Sequence, residues 1–557
     1  MSTFGYKYLF DSVKDKIRHI FSKKNDDVIR KIWDGTTHKE RDFNLIAQYH
    51  TEKQKIASIR ELVDAITWSD LDMDDVFLRI DHTVCPPGRQ FLYHTIRTGD
   101  QKGNTDAFRT YRYFLLHKDI RESIQRILLK LNRPSAYFLV NLIFFQLPDK
   151  PAHSFLFPLS AAALSASIVL TFFYPYFFLA ALTIAIINLL VHRYYTYRII
   201  GFMPNLYDLN ELLRVAVKLS DMAPQNDIPQ IEILRKYEAA ARTVNKKIGW
   251  LIVDTGSLDA LSSSAMEYLN CFFLLNLITF FRSIKVIRQH QGQLQDIFDT
   301  VSSLDSAISV AGYLNSLPFH CEPVFNDDNI IDVKDVYHPL LAKPVANTFV
   351  LRNKSCLITG SNMAGKTTFM KTVGLNIILG RTLHICLAKS FNLPDVTVRT
   401  SIKRSDNINE DTSYYFREIE SILKFLQLSA EPPRYLFLID EIFRGTNTVE
   451  RLSASTAVLD YLSSQNMVFV TTHDIELQHM LNNNFEMYHF SERIKNNEHY
   501  FDYAVQSGPC TSRNAIRLLA LKGYPETITN RALEITRKLS CQWHKGTRFC
   551  APTDLPG

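Results

Sequence analysis

The sequence predicts a multi-domain chain: a mostly α-helical core and lever region with a transmembrane helical hairpin, then a C-terminal α/β domain. Three observations carry that expectation. Residues 154–191, SFLFPLSAAALSASIVLTFFYPYFFLAALTIAIINLLV, contain no Asp, Glu, Lys, Arg or His. On both sides of this run apolar residues recur at helical spacing, as in EKQKIASIRELVDAI and over residues 205–317. Beyond Pro323, short β-rich runs alternate with helical patterns, which implies a parallel sheet covered on both faces.

A length of 557 residues suits about three or four domains. Composition is ordinary for a globular protein, with 46% hydrophobic and 22% charged residues, although phenylalanine is abundant at 37. The net charge of +6 permits an anionic partner without demanding one. The first sixty residues carry thirteen Lys/Arg against eight Asp/Glu; a solvated helical surface accounts for that as well as nucleic acid or lipid headgroups would. The eight cysteines are scattered, with no C-x-x-C and no Cys/His cluster. This argues against a disulfide framework or a zinc site and for a reducing compartment. The opening MSTFGYKYLFDSVKDK has charges where a signal peptide needs an apolar run, so the bulk of the chain is expected not to be exported.

The charge-free run has 38 residues, roughly two bilayer-spanning helices at about 17–25 residues each. Tyr174-Pro175-Tyr176 suits the turn between them. Lys130, Arg133 and Lys150 precede the run, and Arg193 and Arg198 follow it. By the positive-inside rule both flanks, and with them both termini, are expected in the cytoplasm. The alternative is a buried helical pair in a large core. Two shorter apolar runs, residues 136–147 and 268–281, are too short to span; they read as buried core helices or as helices resting on a membrane surface.

SCLITG reads as a buried strand and TTFMKTVGLNIIL as a helix, and between them G-S-N-M-A-G-K-T fits the phosphate-loop pattern G-x-x-x-x-G-K-[ST]. Gly360 and Gly365 let the backbone curl so that its N–H groups face phosphates, and the helix N-terminus adds its positive end. The candidate phosphate-binding set is Gly360, Ser361, Asn362, Met363, Ala364, Gly365, Lys366, Thr367 and Thr368. Lys366 supplies a point charge to the β- and γ-phosphates, and Thr367 a hydroxyl to Mg²⁺. The C-terminal domain is therefore expected to be a P-loop NTPase. In LFLIDEIFRGTN, Asp440 is placed to hold Mg²⁺ through water and Glu441 to polarise the attacking water as general base. MVFVTTHD ends in His473, a polar group where a γ-phosphate can be sensed. An acidic pair after a strand is common and a lone histidine at a strand end is usually structural; the three elements in register make the case.

These residues resemble the ATPase of the MutS family. TGSNMAGKTT is similar to the family loop TGPNMGGKST, and Asn362 and Met363 are more diagnostic than the glycines. DEIFRGT (440–446) resembles DEIGRGT, and THDIEL (472–477) resembles THxxEL. SDNINEDTSYYFREI (405–419) resembles the signature loop SDDLxxGxSTFxxEM. Downstream, GPCTSRNAIRLLALKGYPETITNRALEI resembles the closing helix–turn–helix of the ATPase dimer. Upstream, RIDHTVCPPGRQFLYHTIR resembles the opening of the family's helical core, and SLDSAISVAGYL the end of its lever helices. The likeness runs over roughly residues 68–539, tight in the ATPase and loose elsewhere.

The resemblance implies an ATPase using ATP and Mg²⁺, working as a homodimer in which Ser413 reaches the partner's nucleotide and Glu418 closes the motif. It implies a helical clamp on double-stranded DNA, gripped through the backbone. Lys246, Lys247 and RSIKVIRQHQ from Arg282 are candidate contacts, with a solvated helix face as the plainer reading. The expected organisation is a basic helical N-terminal region (1–65), the first part of the core (66–150), the hairpin (151–195), the second part of lever and core (196–322), the ATPase domain with its closing helix–turn–helix (323–530), and a helix and tail (531–557). Ala364 departs from a loop glycine, Phe443 from the glycine after DEI, and Tyr414 from the signature threonine. The first is expected to spare phosphate contact, the other two to alter dimer communication more than binding. Phe349 falls where the family places a residue against the adenine. Neither the Phe-x-Glu wedge of the mismatch readers nor sequence for an Smr nuclease is expected. The reading is thus a membrane-anchored ATPase switch on DNA, of the DNA mismatch repair kind without its own mismatch reader. The alternative is a tethered ATPase switch acting on a protein or lipid partner. The missing LSGGQ signature argues against an ABC transporter, and no acceptor site supports a small-molecule kinase.

Overall fold

The computed structural model describes residues 25–35, 41–56, 61–99, 107–145, 147, 149–199, 202–222, 228–249, 268–361, 364–402, 414–430, 432–481, 483–495, 498–509 and 523–546. The chain divides into two compact units. One is built chiefly from Asp74–Phe319; the other comprises Val63–Met73, His320–Gly380 and Ile385–Gly557.

The first unit is helical. Among its elements are α1 (Phe43–Ile56), α2 (Pro86–Thr98), α3 (Leu156–Thr171), α4 (Phe177–Ile199), α5 (Met203–Ser220), α6 (Pro229–Gly249), α7 (Leu275–Gln289) and α8 (Gln291–Ser316). Proline at the first position of α2 pre-sets the helical φ, but the Cys85 side chain makes no capping hydrogen bond. The cap comes from α8 instead. Asp305, fully buried, accepts from Val84 N (3.0 Å) and Cys85 N (2.9 Å). One turn on, Ser309 Oγ accepts from His82 N (2.7 Å) and donates to Ile80 O (2.8 Å). The two stretches that resemble the opening and the end of the family's helical region are therefore fastened to each other.

The apolar run folds as two packed helices, α3 and α4, with the turn at residues 172–176. Its large side chains are turned outward: Phe172, Phe173, Tyr176, Phe178, Leu179 and Leu190 are all exposed. The alternative of a buried pair is not what forms. The expectation of two full spans is corrected as well. Among the described residues only Phe177–Tyr195, 19 residues, is long and apolar enough to cross a bilayer. At 16 residues, α3 rises about 24 Å, short of a hydrocarbon core of about 30 Å.

The second unit is α/β. A six-stranded sheet has the order β10-β9-β4-β8-β7-β6, with β4 Ser355–Thr359, β6 Thr397–Ser401, β7 Tyr435–Asp440, β8 Met467–Thr472, β9 Phe485–Lys495 and β10 Glu498–Ser507. All its pairs are parallel except β9 with β10. A smaller sheet, β1-β5-β2-β3, is built from Val324–Asn326, Ser390–Pro394, Ile330–Val336 and Asn347–Arg352. Every residue of β4 and β8 is buried, which is why both strands read as continuous apolar runs. On one face Phe437, Ile439, Val468 and Val470 pack with α10 (Tyr414–Ser429) through Ile422 and Phe425, and with α11 (Thr448–Ser463) through Leu452 and Leu459. On the other lies α9 (Lys366–Leu383); a Cβ on its Gly374 would fall 2.4 Å from Leu438 Cδ1, so only glycine lets this helix sit so close. Residues Val63–Met73, within the stretch expected to open the helical core, are compact with this unit. Asp64 caps the short helix Ala65–Asp70 by accepting from Thr67 N (2.8 Å), and Asp70 accepts from Ile402 N (2.9 Å) just past β6. At the end of the unit, α12 covers Glu526–Gly546; residues 510–522 of the expected closing helix–turn–helix lie outside the described residues.

Asp305→Ala should cost about 2–4 kcal/mol in a urea titration, because two buried N–H groups lose their acceptor. Burial pushes the Asp305 carboxyl up to about 6, above the roughly 4 of an unfolded chain. The folded state then holds its proton better, so this group's contribution is complete below about pH 4 and is lost as pH rises through about 6. Asp305→Asn should flatten that slope in stability measured from pH 4 to 7.

Candidate functional site

Sheet order decides where the site lies. Strands β4, β8 and β7 are neighbours and parallel, so the loops at their carboxyl ends open side by side, the usual place for a ligand in such a sheet. The loop after β4 carries residues 360–365, β7 ends in Asp440-Glu441, and β8 is followed by His473. Register is specific: Asp440 is paired with Thr471 and Thr359 with Thr472.

Gly360 has φ 143°, and a Cβ there would stand 2.8 Å from the Phe490 carbonyl oxygen on β9. A side chain would thus be both strained and obstructed. Lys366, the first residue of α9, is buried with its ammonium donating to Gly360 O (2.7 Å) and Ser361 O (2.8 Å). Thr367 Oγ1 donates to the Asp440 carboxylate at 3.1–3.2 Å, and Thr471 Oγ1 donates to Asp440 Oδ1. Glu441 holds two cations or donors at once, His473 Nε2 on Oε1 (2.8 Å) and Arg444 on Oε2 (2.6 Å). A His473 Nε2–H that donates to Glu441 has no lone pair to offer, so its 3.5 Å approach to Lys366 Nζ is a contact between donors.

Gly360, Ser361, Ala364, Gly365, Lys366, Thr367 and Thr368 thus lie on one loop and helix start, beside Asp440, Glu441 and His473. Asn362, Met363 and Ser413 lie outside the described residues. Phe349 is not a platform for a base: it is buried, with ring centroids 5.2 Å from Phe369 and 6.1 Å from Phe469. Its position on an inward-facing β3 residue next to the central sheet makes it core. The sequence reading passed over Thr471 and Arg444. Thr471 had a signal, a hydroxyl residue beside Thr472 at the end of the apolar stretch MVFV. Among the candidate nucleic-acid contacts, Lys246, Lys247, Arg282 and Lys285 are exposed, whereas Arg288 is paired with Asp149 at 2.9 Å.

Glu441 and Phe443 both take left-handed backbone conformations, φ 58° and 56°. Phe443 stays there because its ring is buried in the cluster with Ile422 and Phe425, and because its N–H donates to Glu418 Oε1 (2.5 Å). Glu418 therefore holds the loop that carries Glu441. Phe443→Gly should relieve about 1–3 kcal/mol of strain yet lose about 3–5 kcal/mol of packing. The net expectation is a loss of about 2 kcal/mol in urea unfolding.

Comparison with known proteins agrees with this geometry. The family model for MutS domain V matches residues 356–540. Similar proteins include MutS protein homolog 4 of Homo sapiens, 31% identical over 275 residues, covering 46% of this chain and 29% of that protein. DNA mismatch repair protein MutS of Leuconostoc mesenteroides is 30% identical over 278 residues, covering 46% of this chain and 31% of that one. The match thus spans about three tenths of the length of these relatives. With the phosphate loop, the acidic pair and the histidine assembled at the carboxyl ends of three neighbouring strands, residues 356–540 match MutS domain V, and the C-terminal half of the chain is homologous to proteins of the MutS family.

Proposed function

We propose that the chain binds ATP with Mg²⁺ and hydrolyses it, and that hydrolysis switches a homodimeric, membrane-attached helical clamp on double-stranded DNA. The observation that carries the catalytic part is the cluster of Lys366, Thr367, Asp440, Glu441 and His473 at the ends of three adjacent parallel strands. The loop fits a polyphosphate. Lys366 is buried on carbonyls that it could exchange for anionic oxygens, and the Ser361 hydroxyl is buried without a hydrogen-bond partner. Bound Mg²⁺ would neutralise charge building on the phosphates. In this site Lys366 offers its ammonium to the β- and γ-phosphates, and Thr367 and Asp440 are the residues to hold the metal. Thr471 keeps Asp440 aimed. Glu441 is the group to accept a proton from water, and His473 and Arg444 hold its carboxylate in place.

Dimer and DNA come from the relatives, one of which is named for DNA mismatch repair. The exposed apolar surface of α3 and α4 favours attachment to a membrane, and the cations on both flanks of the apolar run favour the cytoplasmic side for both termini, with the pair of helices dipping in and returning. That surface also supports a second reading, a tethered ATPase switch whose partner is protein or lipid.

Lys366→Ala should weaken ATP binding by about 100-fold or more, since a charge-assisted contact to phosphate is removed. Glu441→Gln should lower turnover by about 10²–10⁴-fold while ATP affinity stays within about threefold. Turnover unchanged in both variants would sink the ATPase reading. For DNA, the affinity of the purified protein should fall steeply between low and physiological salt. If ATPase activity is intact and no duplex binds at low salt, the DNA part fails and the second reading stands.

A further inference from the structure

Residues 268–281, YLNCFFLLNLITFF, are too short to cross a bilayer; Leu274, Leu277, Phe280 and Phe281 are buried, whereas Tyr268, Leu269 and Leu275 are exposed. Residues 268–273 are helical, the helix stops at Leu274 in the left-handed conformation (φ 53°), and α7 restarts at Leu275. Such a break frees carbonyl groups. One of them, Phe272 O, accepts from Asn188 Nδ2 at 2.7 Å, and Asn188 Oδ1 accepts from Ser160 Oγ at 2.5 Å. Both Asn188 and Ser160 belong to the hairpin. Asn188 is 1% exposed, while Ile186, Ile187, Leu189 and Leu190 around it are 45–63% exposed.

We propose that residues 268–281 form a third membrane-inserted element, a re-entrant arm packed along α4 with its broken turn below the lipid surface. The proposal rests on the membrane attachment proposed above. In water a carbonyl at a helix break binds solvent and needs no dedicated amide. In hydrocarbon an unpaired carbonyl is costly, and irregular backbone is tolerated only where protein groups satisfy it. An asparagine buried against the break, on a helix otherwise turned toward lipid, meets that requirement.

A second contact fixes the arm's direction. Phe281 packs against Phe157 at 6.0 Å and Tyr195 at 6.1 Å, and Tyr195 Oη lies 2.7 Å from His153 Nε2 at the hairpin base. Tyr195 is seven residues beyond Asn188, about 10 Å along α4; Phe281 is nine beyond Phe272. The arm therefore runs from depth to base alongside α4. Exposed Tyr268, Leu269 and Leu275 extend the apolar surface. At the base, exposed Arg193, Tyr194, Arg282 and Lys285 provide cations and an aromatic suited to lipid headgroups. The basic stretch that the sequence offers to DNA thus adjoins the membrane-facing end of the arm. From that end α7 leads across His290 into α8.

The test uses the full chain in phosphatidylcholine–phosphatidylglycerol vesicles. Flotation with the vesicles after an alkaline wash reports the hairpin. Labelling by a membrane-impermeant maleimide, read peptide by peptide by mass spectrometry, compares Leu269→Cys with Lys247→Cys. Leu269 is 46% exposed on the protein itself, so its protection must come from lipid. The expectation is at least tenfold slower labelling at position 269 than at 247 in vesicles, and equal rates in urea. Equal rates in floating vesicles would overturn the arm and leave the anchor; loss of flotation would overturn the anchor and the arm with it. Adding Asn188→Leu should preserve flotation and narrow the difference to less than threefold. Ser160→Ala, which removes a single bond, should narrow it less. A difference unchanged by both substitutions would overturn the role given to Asn188 in holding the arm's broken turn.

Discussion

The parallel register of β4, β8 and β7 is the constraint on which the candidate site depends. Three loops that are distant in sequence become chemically adjacent because their strands pair Thr359 with Thr472 and Asp440 with Thr471. A slip of one residue would turn each strand's side chains to the opposite face and separate Asp440 from both threonines. The strands hold that register because they are buried on both faces and cannot slide without exposing apolar side chains. The site is therefore a consequence of core packing before it is a matter of polar contacts.

Polar groups then act at the points where packing leaves the backbone unsatisfied. Asp305 supplies the cap that Cys85 cannot, and so ties α8 to the start of α2. Glu418 binds the N–H of Phe443 and so ties α10 to the loop after β7. Asn188 does the same for the carbonyl freed at Leu274. In each case a single side chain joins segments far apart in the chain, and in each the alternative is an unpaired group shielded from water.

The hairpin follows a different rule. Its residues are apolar and exposed together, the reverse of a soluble core. That exposed apolar surface is the observation on which the proposed membrane attachment rests. The length of α3 limits that proposal: 16 residues rise about 24 Å, less than a hydrocarbon core.

Sequence alone determined the candidate residues and their local setting. The spacing of Gly360, Gly365, Lys366 and Thr367 after an apolar strand, the pair Asp440-Glu441, and His473 were all legible, because each sits at the end of a strand whose burial shows as an uninterrupted apolar run. The pair of apolar helices was legible for a different reason, a long run without charge broken at Tyr174-Pro175-Tyr176. Tertiary structure decided what pairing and burial alone can decide. It made Phe349 core and not a surface for a base, gave Thr471 and Arg444 their places on the acidic pair, and drew Val63–Met73 into the α/β unit. It also joined residues 268–281 to the hairpin through Asn188. These contacts link residues far apart in sequence or turn on the direction of one side chain, and neither property leaves a period in the sequence.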